Sequence, residues 1–68
     1  MADGPRGREL NQKCQAKGWN VEYTTWQENN SFSSKVIVNG KDFQSSRCSS
    51  AEEAEESAAQ RALHYFFF

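Results

Sequence analysis

The chain has 68 residues, with eight Lys and Arg against nine Asp and Glu and a formal net charge of −1 at pH 7. That length fits one small domain spanning residues 1–68, near the lower limit for folding without a staple. The near-neutral balance excludes a chain that holds nucleic acid by bulk charge alone, and two cysteines, Cys14 and Cys48, are too few for a disulfide framework.

Residues 8–17 read as a first helix. Leu10 and Cys14 share a face at i, i+4 and Gly18 is a stop signal. Asp3-Gly4-Pro5 supplies a start, because proline suits a first turn. Residues 21–48 read as three strands. VEYTTWQE is rich in β-branched and aromatic residues. Asn29-Asn30 offers a two-residue turn, since asparagine tolerates positive φ. FSSKVIV follows, then Asn39-Gly40, the strongest short hairpin signal, and KDFQSSRC completes the sheet over Lys41 to Cys48.

The two turns set a register. It pairs Gln27 with Phe32, Tyr23 with Val36, Val21 with Val38 and Val36 with Phe43. Val21, Tyr23, Phe32, Val36, Val38 and Phe43 then share one face, which a one-residue slip would scatter. The opposite face carries Glu22, Thr24, Trp26, Ser33, Lys35, Ile37, Asp42 and Gln44, mostly polar as a solvated face should be. A second helix is expected over residues 51–66. Ser50 and Glu53 have the spacing of a capping box. Ala54, Ala58, Ala62 and Phe66 recur every fourth place beside Ala59 and Leu63, so the helix can lie close to the sheet. The expected fold is α+β, in the order α-β-β-β-α, with both helices on the apolar face of a three-stranded antiparallel sheet.

That order, with Leu10-Asn11, Cys14-Gln15, Lys17-Gly18-Trp19, Phe32-x-x-x-Val36-x-Val38-x-Gly40, Ser50, Glu53-Ala54, Ala58-Ala59 and Ala62-Leu63, resembles the double-stranded-RNA-binding domain family over about residues 6 to 66. Members generally read duplex shape through two minor grooves and the intervening phosphates. The resemblance implies three contact regions. The first helix offers a polar side chain at Gln12, with Arg8 and Lys13 as neighbouring RNA-contact candidates. A long loop between the first two strands usually carries Gly-Pro-x-His; here Asn29-Asn30 replaces it and the histidine is missing. A lysine clamp at the start of the last helix falls at Ala51, Glu52 and Glu55. The resemblance therefore implies a domain that keeps the fold and has lost the clamp and the loop histidine.

Glutamates at a helix start favour the helix and repel phosphate. The acidic run of Glu52, Glu53, Glu55 and Glu56 reads as a solvated, well-capped helix face or as a docking surface for a basic partner. A calcium cage is disfavoured because no turn-forming loop accompanies it. Trp26 reads either as local packing on the Lys35 stem, with a cation–π contribution, or as an interface anchor. With Ile37 and the third-strand residues Gln44 and Ser45 it forms the candidate protein interface. Trp19 is expected to close the core, Cys14 to be a core thiol, and Phe67 and Phe68 to be a frayed end or the stub of a longer chain. The lone His64 forms no Ser–His–Asp or Cys–His arrangement.

The expected function is a noncatalytic interaction module that contacts a partner protein or a second copy. The alternative is weak double-stranded RNA binding through the first helix, beside other domains of a larger RNA-binding protein. No cofactor, metal, small-molecule substrate or membrane partner is expected. Free thiols and the lack of a secretory-type apolar stretch in MADGPRGREL point to a cytoplasmic or nuclear setting.

Overall fold

A computed structural model describes residues 4–68. The elements are α1 (Pro5–Lys17), β1 (Val21–Glu28), β2 (Ser31–Val38), β3 (Lys41–Gln44) and α2 (Ala51–Phe67). The expected α-β-β-β-α order holds, with an antiparallel sheet ordered β1-β2-β3. Both hairpins turn on left-handed residues, Asn29 and Asn30 (φ 47° and 67°) and Asn39 and Gly40 (φ 52° and 82°). Positive φ at both central positions is the two-residue hairpin that matches strand twist. The register is the expected one: Val21 faces Val38, Tyr23 faces Val36, Gln27 faces Phe32 and Val36 faces Phe43.

The core follows from that register. Leu10 and Cys14 of α1, Val36 and Val38 of β2, and Ala58, Ala59, Ala62 and Leu63 of α2 are fully buried together. The alanines bring α2 against the sheet, as their spacing implies. Gly18 (φ 73°) ends α1 with its N–H on the Gln15 carbonyl, while the Trp19 N–H reaches the Cys14 carbonyl at 2.9 Å. This paired closure is the Schellman motif. It swings Trp19 onto the core, where its ring lies 5.0 Å from Phe66 and 5.9 Å from Phe67.

Three expectations change. The first helix runs past the expected bound at residue 8 and begins at Pro5, the proline read as suiting a first turn, with Gly4 as its N-cap; Asp3, the other residue offered as its start, lies outside the described residues. The third strand stops at Gln44 and does not run to Cys48. Gln44 pairs with Lys35, but Cys48 pairs with Phe32, so the chain holds one extra residue between them. That extra residue is a β-bulge. Its cause is Ser45, whose hydroxyl accepts the Ser34 N–H at 2.8 Å where a strand carbonyl would otherwise do so. Phe67 is not frayed: it ends α2 half-buried against Trp19, and Phe68 alone of the pair is exposed. The inner sheet face also carries polar residues among the expected apolar set. Ser34, fully buried, donates to the Thr24 carbonyl and lies 3.2 Å from the Thr25 hydroxyl.

Candidate interaction site

The start of α2 is the most heavily used polar region of the domain. Ser50 caps it, its hydroxyl accepting the Glu53 N–H at 3.2 Å. Glu53 answers by accepting the Ser49 and Ser50 hydroxyls through Oε1. This is the expected capping box in a hydroxyl-to-carboxylate variant. Glu55 turns to the sheet, where its Oε2 accepts the Thr25 hydroxyl at 2.9 Å. Thr25 in turn contacts Ser34, so Glu55 is the outer end of a polar chain rooted in the buried sheet. Ala51 is half-buried and Glu52 is exposed.

Glu56 does what no local spacing could reveal. Its Oε1 accepts the Arg6 N–H at 3.0 Å and its Oε2 the Gly7 N–H at 2.8 Å. Gly4, the formal N-cap of α1, has no side chain to offer. The first N–H groups of a helix need acceptors, and a carboxylate from 50 residues away supplies them. The charge also complements the positive end of the α1 dipole. A β-carbon at Gly4 would meet the Glu56 carboxylate, which would have to shift away from the cap. Of the four glutamates, then, three have identified jobs inside the fold.

Tyr23 lies near this cluster. Its hydroxyl is buried without a hydrogen-bond partner among the described residues. Burial, and then the negative charge of Glu55 and Glu56 and the Cys14 thiol, push its phenol well above the ordinary value. Burial also raises the Cys14 thiol, which suits a core residue and not a nucleophile.

On α1, Arg8 and Gln12 are exposed four residues apart and share a face. Lys13 is half-buried, its ammonium 5.5 Å from the Phe67 ring centre and 6.0 Å from that of Phe68. Lys17 similarly caps Trp19 at 5.6 Å. Asn29 and Asn30 form a tight exposed turn.

The outer sheet face carries Trp26 half-buried, opposite Ser33, which is 5% exposed. The indole N–H donates to Glu28 at 3.3 Å. Ammonium groups cap other rings, at Lys13, Lys17 and Lys41, and among the described residues none caps Trp26. Ile37 is half-buried between two carboxylate residues, Glu22 on β1 and Asp42 on β3. Gln44 is exposed on the β3 edge. Ser45 is a correction. It is 8% exposed and its hydroxyl, besides accepting the Ser34 N–H, donates to the Ser46 carbonyl. Its hydroxyl is spent on holding the bulge.

A family model described as the double-stranded RNA binding motif matches residues 8–66. The chain belongs to that family. Two solved structures share its fold. One is a chain of the crystal structure of a Miranda/Staufen dsRBD5 complex, at TM-score 0.82 and 19% identity, over 91% of this chain and 94% of that one. The other is the solution structure of both dsRBDs of DRB4 with their linker, at TM-score 0.68 and 24% identity, over 93% of this chain and 44% of that one. No curated protein sequence matches significantly. A double-stranded-RNA-binding fold of this kind serves as an RNA-binding or a protein-interaction module.

Proposed function

We propose that this domain is a noncatalytic protein-interaction module of the double-stranded-RNA-binding family that has lost its phosphate clamp. The observation that carries the reading is the use made of the clamp positions. Ala51, Glu52 and Glu55 stand where the family places lysines, and Glu55 is tied to Thr25 in the sheet, with the neighbouring Glu56 tied to α1. A carboxylate repels the phosphate that a lysine would attract, and phosphate neutralisation supplies most nonspecific affinity. The two-residue Asn29-Asn30 turn leaves no room for a loop histidine. The contact surface is the outer sheet face with Trp26 and Ile37, together with the open β3 edge at Gln44; the occupant is a partner protein or a second copy. Tryptophan is favoured as an interface anchor, and an unpaired edge invites strand addition. That a fold neighbour comes from a Miranda/Staufen dsRBD5 complex is compatible with such a role.

The test is Trp26→Ala with Ile37→Ser, read by sedimentation and partner capture after the fold is checked. Loss of self-association or of a partner supports the reading; a folded variant that changes neither refutes it. A second reading, residual duplex RNA contact through α1, is favoured by the exposed pair Arg8 and Gln12. Its mark would be a weak complex that disappears as salt is raised.

A further inference from the structure

The open edge of β3 has a definite hydrogen-bonding pattern. Val38 and Lys41 flank the Asn39-Gly40 turn and form the first bonded pair of the hairpin. Bonded and non-bonded pairs alternate along an antiparallel ladder. Val36 and Phe43 are therefore bonded, whereas Asp42 and Gln44 direct their N–H and C=O groups away from β2. With the sheet ordered β1-β2-β3, those groups meet no further strand. The bulge after Ser45 ends this open edge.

The same residues line a groove of about 850 Å³ between β3 and α2. Asp42, Phe43 and Gln44 form one wall, and Arg61, His64 and Tyr65 stand on the other. Tyr65 is 61% exposed, the ring of Phe43 lies 5.4 Å from it, and the Lys41 ammonium sits 4.9 Å over its centre. Arg61 lines the groove and Lys41 stands at its rim over Tyr65, against Asp42 as the one carboxylate residue of the lining, and among the described residues neither cation is in an ion pair. The groove combines open backbone groups, an exposed aromatic platform and an excess of positive charge.

We propose that this edge groove takes an acidic, extended segment of a partner protein as a fourth strand. Its carboxylates face Lys41 and Arg61, and an apolar side chain lies over Tyr65 and Phe43. This rests on the protein-interaction reading and names the partner's chemistry. An extended backbone presents matching groups every second residue, about 6.6 Å apart, whereas a helix has spent its own backbone groups internally. A second copy is disfavoured because it would bring another Lys41 and Arg61 to the same seam.

The experiment titrates the isotope-labelled domain with three synthetic peptides, in which valine and phenylalanine alternate with Glu, Gln or Lys. The Glu peptide should bind best and slow amide exchange at Asp42 and Gln44 by about tenfold or more. Arg61→Glu should weaken it by about tenfold. Gln44→Pro should do the same, because proline removes an outward N–H and is tolerated on an edge strand; if that variant fails to fold, Arg61→Glu and the exchange data still decide. Equal binding of the Lys peptide, or binding with unchanged exchange at the two amides, overturns the proposal. So does protection of those amides by concentration alone, which assigns the edge to a second copy, or by duplex RNA. If no peptide binds but Trp26→Ala with Ile37→Ser still alters association, the acidic-strand inference fails and the protein-contact reading stands. If the Glu peptide binds as described and that variant changes nothing, the edge is the interface and the outer face is not.

Discussion

Glu56→Ala should destabilise this domain far more than a surface glutamate would suggest. Glu56 accepts two N–H groups at the start of α1, at 3.0 and 2.8 Å. Hydrogen bonds to a charged group are worth about 1.5–3 kcal/mol in general. Arg6 is exposed, so water replaces much of its bond; Gly7 is buried, so its N–H is left with little. Measured losses of a single helix cap run about 0.5–2 kcal/mol. Adding the lost charge at the dipole, about 2 kcal/mol is expected, or a fall in Tm of about 8–16 °C for a domain of this size. Glu56→Gln keeps an acceptor but loses the charge, and should cost about half as much. Glu52→Ala is the reference: it is exposed and among the described residues makes no hydrogen bond or ion pair, so its contribution is that of the α2 dipole, about 0.3–1 kcal/mol. The assay is urea and thermal denaturation, with amide exchange at Arg6 and Gly7. Gly4→Ala should perturb the same cap and lose most of its effect in the Glu56→Ala background, a coupling a double-mutant cycle reads directly. If Glu56→Ala costs no more than Glu52→Ala, or the Gly4 and Glu56 effects simply add, the cross-domain cap contributes nothing and the reasoning fails.

Tyr23 makes stability fall in alkali. Its folded value is raised above the ordinary 10.0, so the native state holds the proton that the unfolded chain gives up. The contribution is complete below pH 10 and is lost as pH rises toward the folded value, by up to about 1.4 kcal/mol per pH unit. Cys14 adds a fall of the same sign from 9.0. Tyr23→Phe should therefore flatten the alkaline limb without abolishing it, and should gain about 1 kcal/mol at neutral pH by removing an unpaired hydroxyl; urea melts of both proteins across the alkaline range check this. Ala51→Lys, Glu52→Lys and Glu55→Lys together should restore salt-sensitive attraction to duplex RNA, steepening the log–log salt slope by roughly two to three units. The same triple variant should lose stability through the dipole and the Thr25 bond, as a denaturation curve would show; if it stays silent toward RNA, the shortened loop matters more than the clamp.

The sheet was legible in the sequence because its information is local. Asn29-Asn30 and Asn39-Gly40 each demand positive φ, and the apolar residues between them fall on one face in only one register. The alanine spacing of α2 and the Gly18 stop were legible for the same reason. What escaped depends on contacts between distant residues. The first helix starts at the proline that signals it, but the Glu56 carboxylate that caps that start comes from 50 residues away, and nothing near Pro5 announces it. The third strand is shortened because the Ser45 hydroxyl takes the place of a backbone carbonyl, which no propensity encodes. Phe67 is held by Trp19, whose direction is set only once Gly18 has turned the chain. Among site residues, the exposure of Arg8, Gln12 and Gln44 was expected, whereas the burial of Ser45 and the groove at Arg61, His64 and Tyr65 required the packed helix and sheet.

The central claim, that this domain retains a double-stranded-RNA-binding fold without its phosphate clamp, is tested most directly by titrating it with duplex RNA of roughly 16 base pairs, the span such domains cover. A mobility shift should be run at low and at physiological salt. The account predicts no specific complex at physiological salt, and at most a weak, salt-sensitive association at low salt. A submicromolar complex that persists at physiological salt would contradict it.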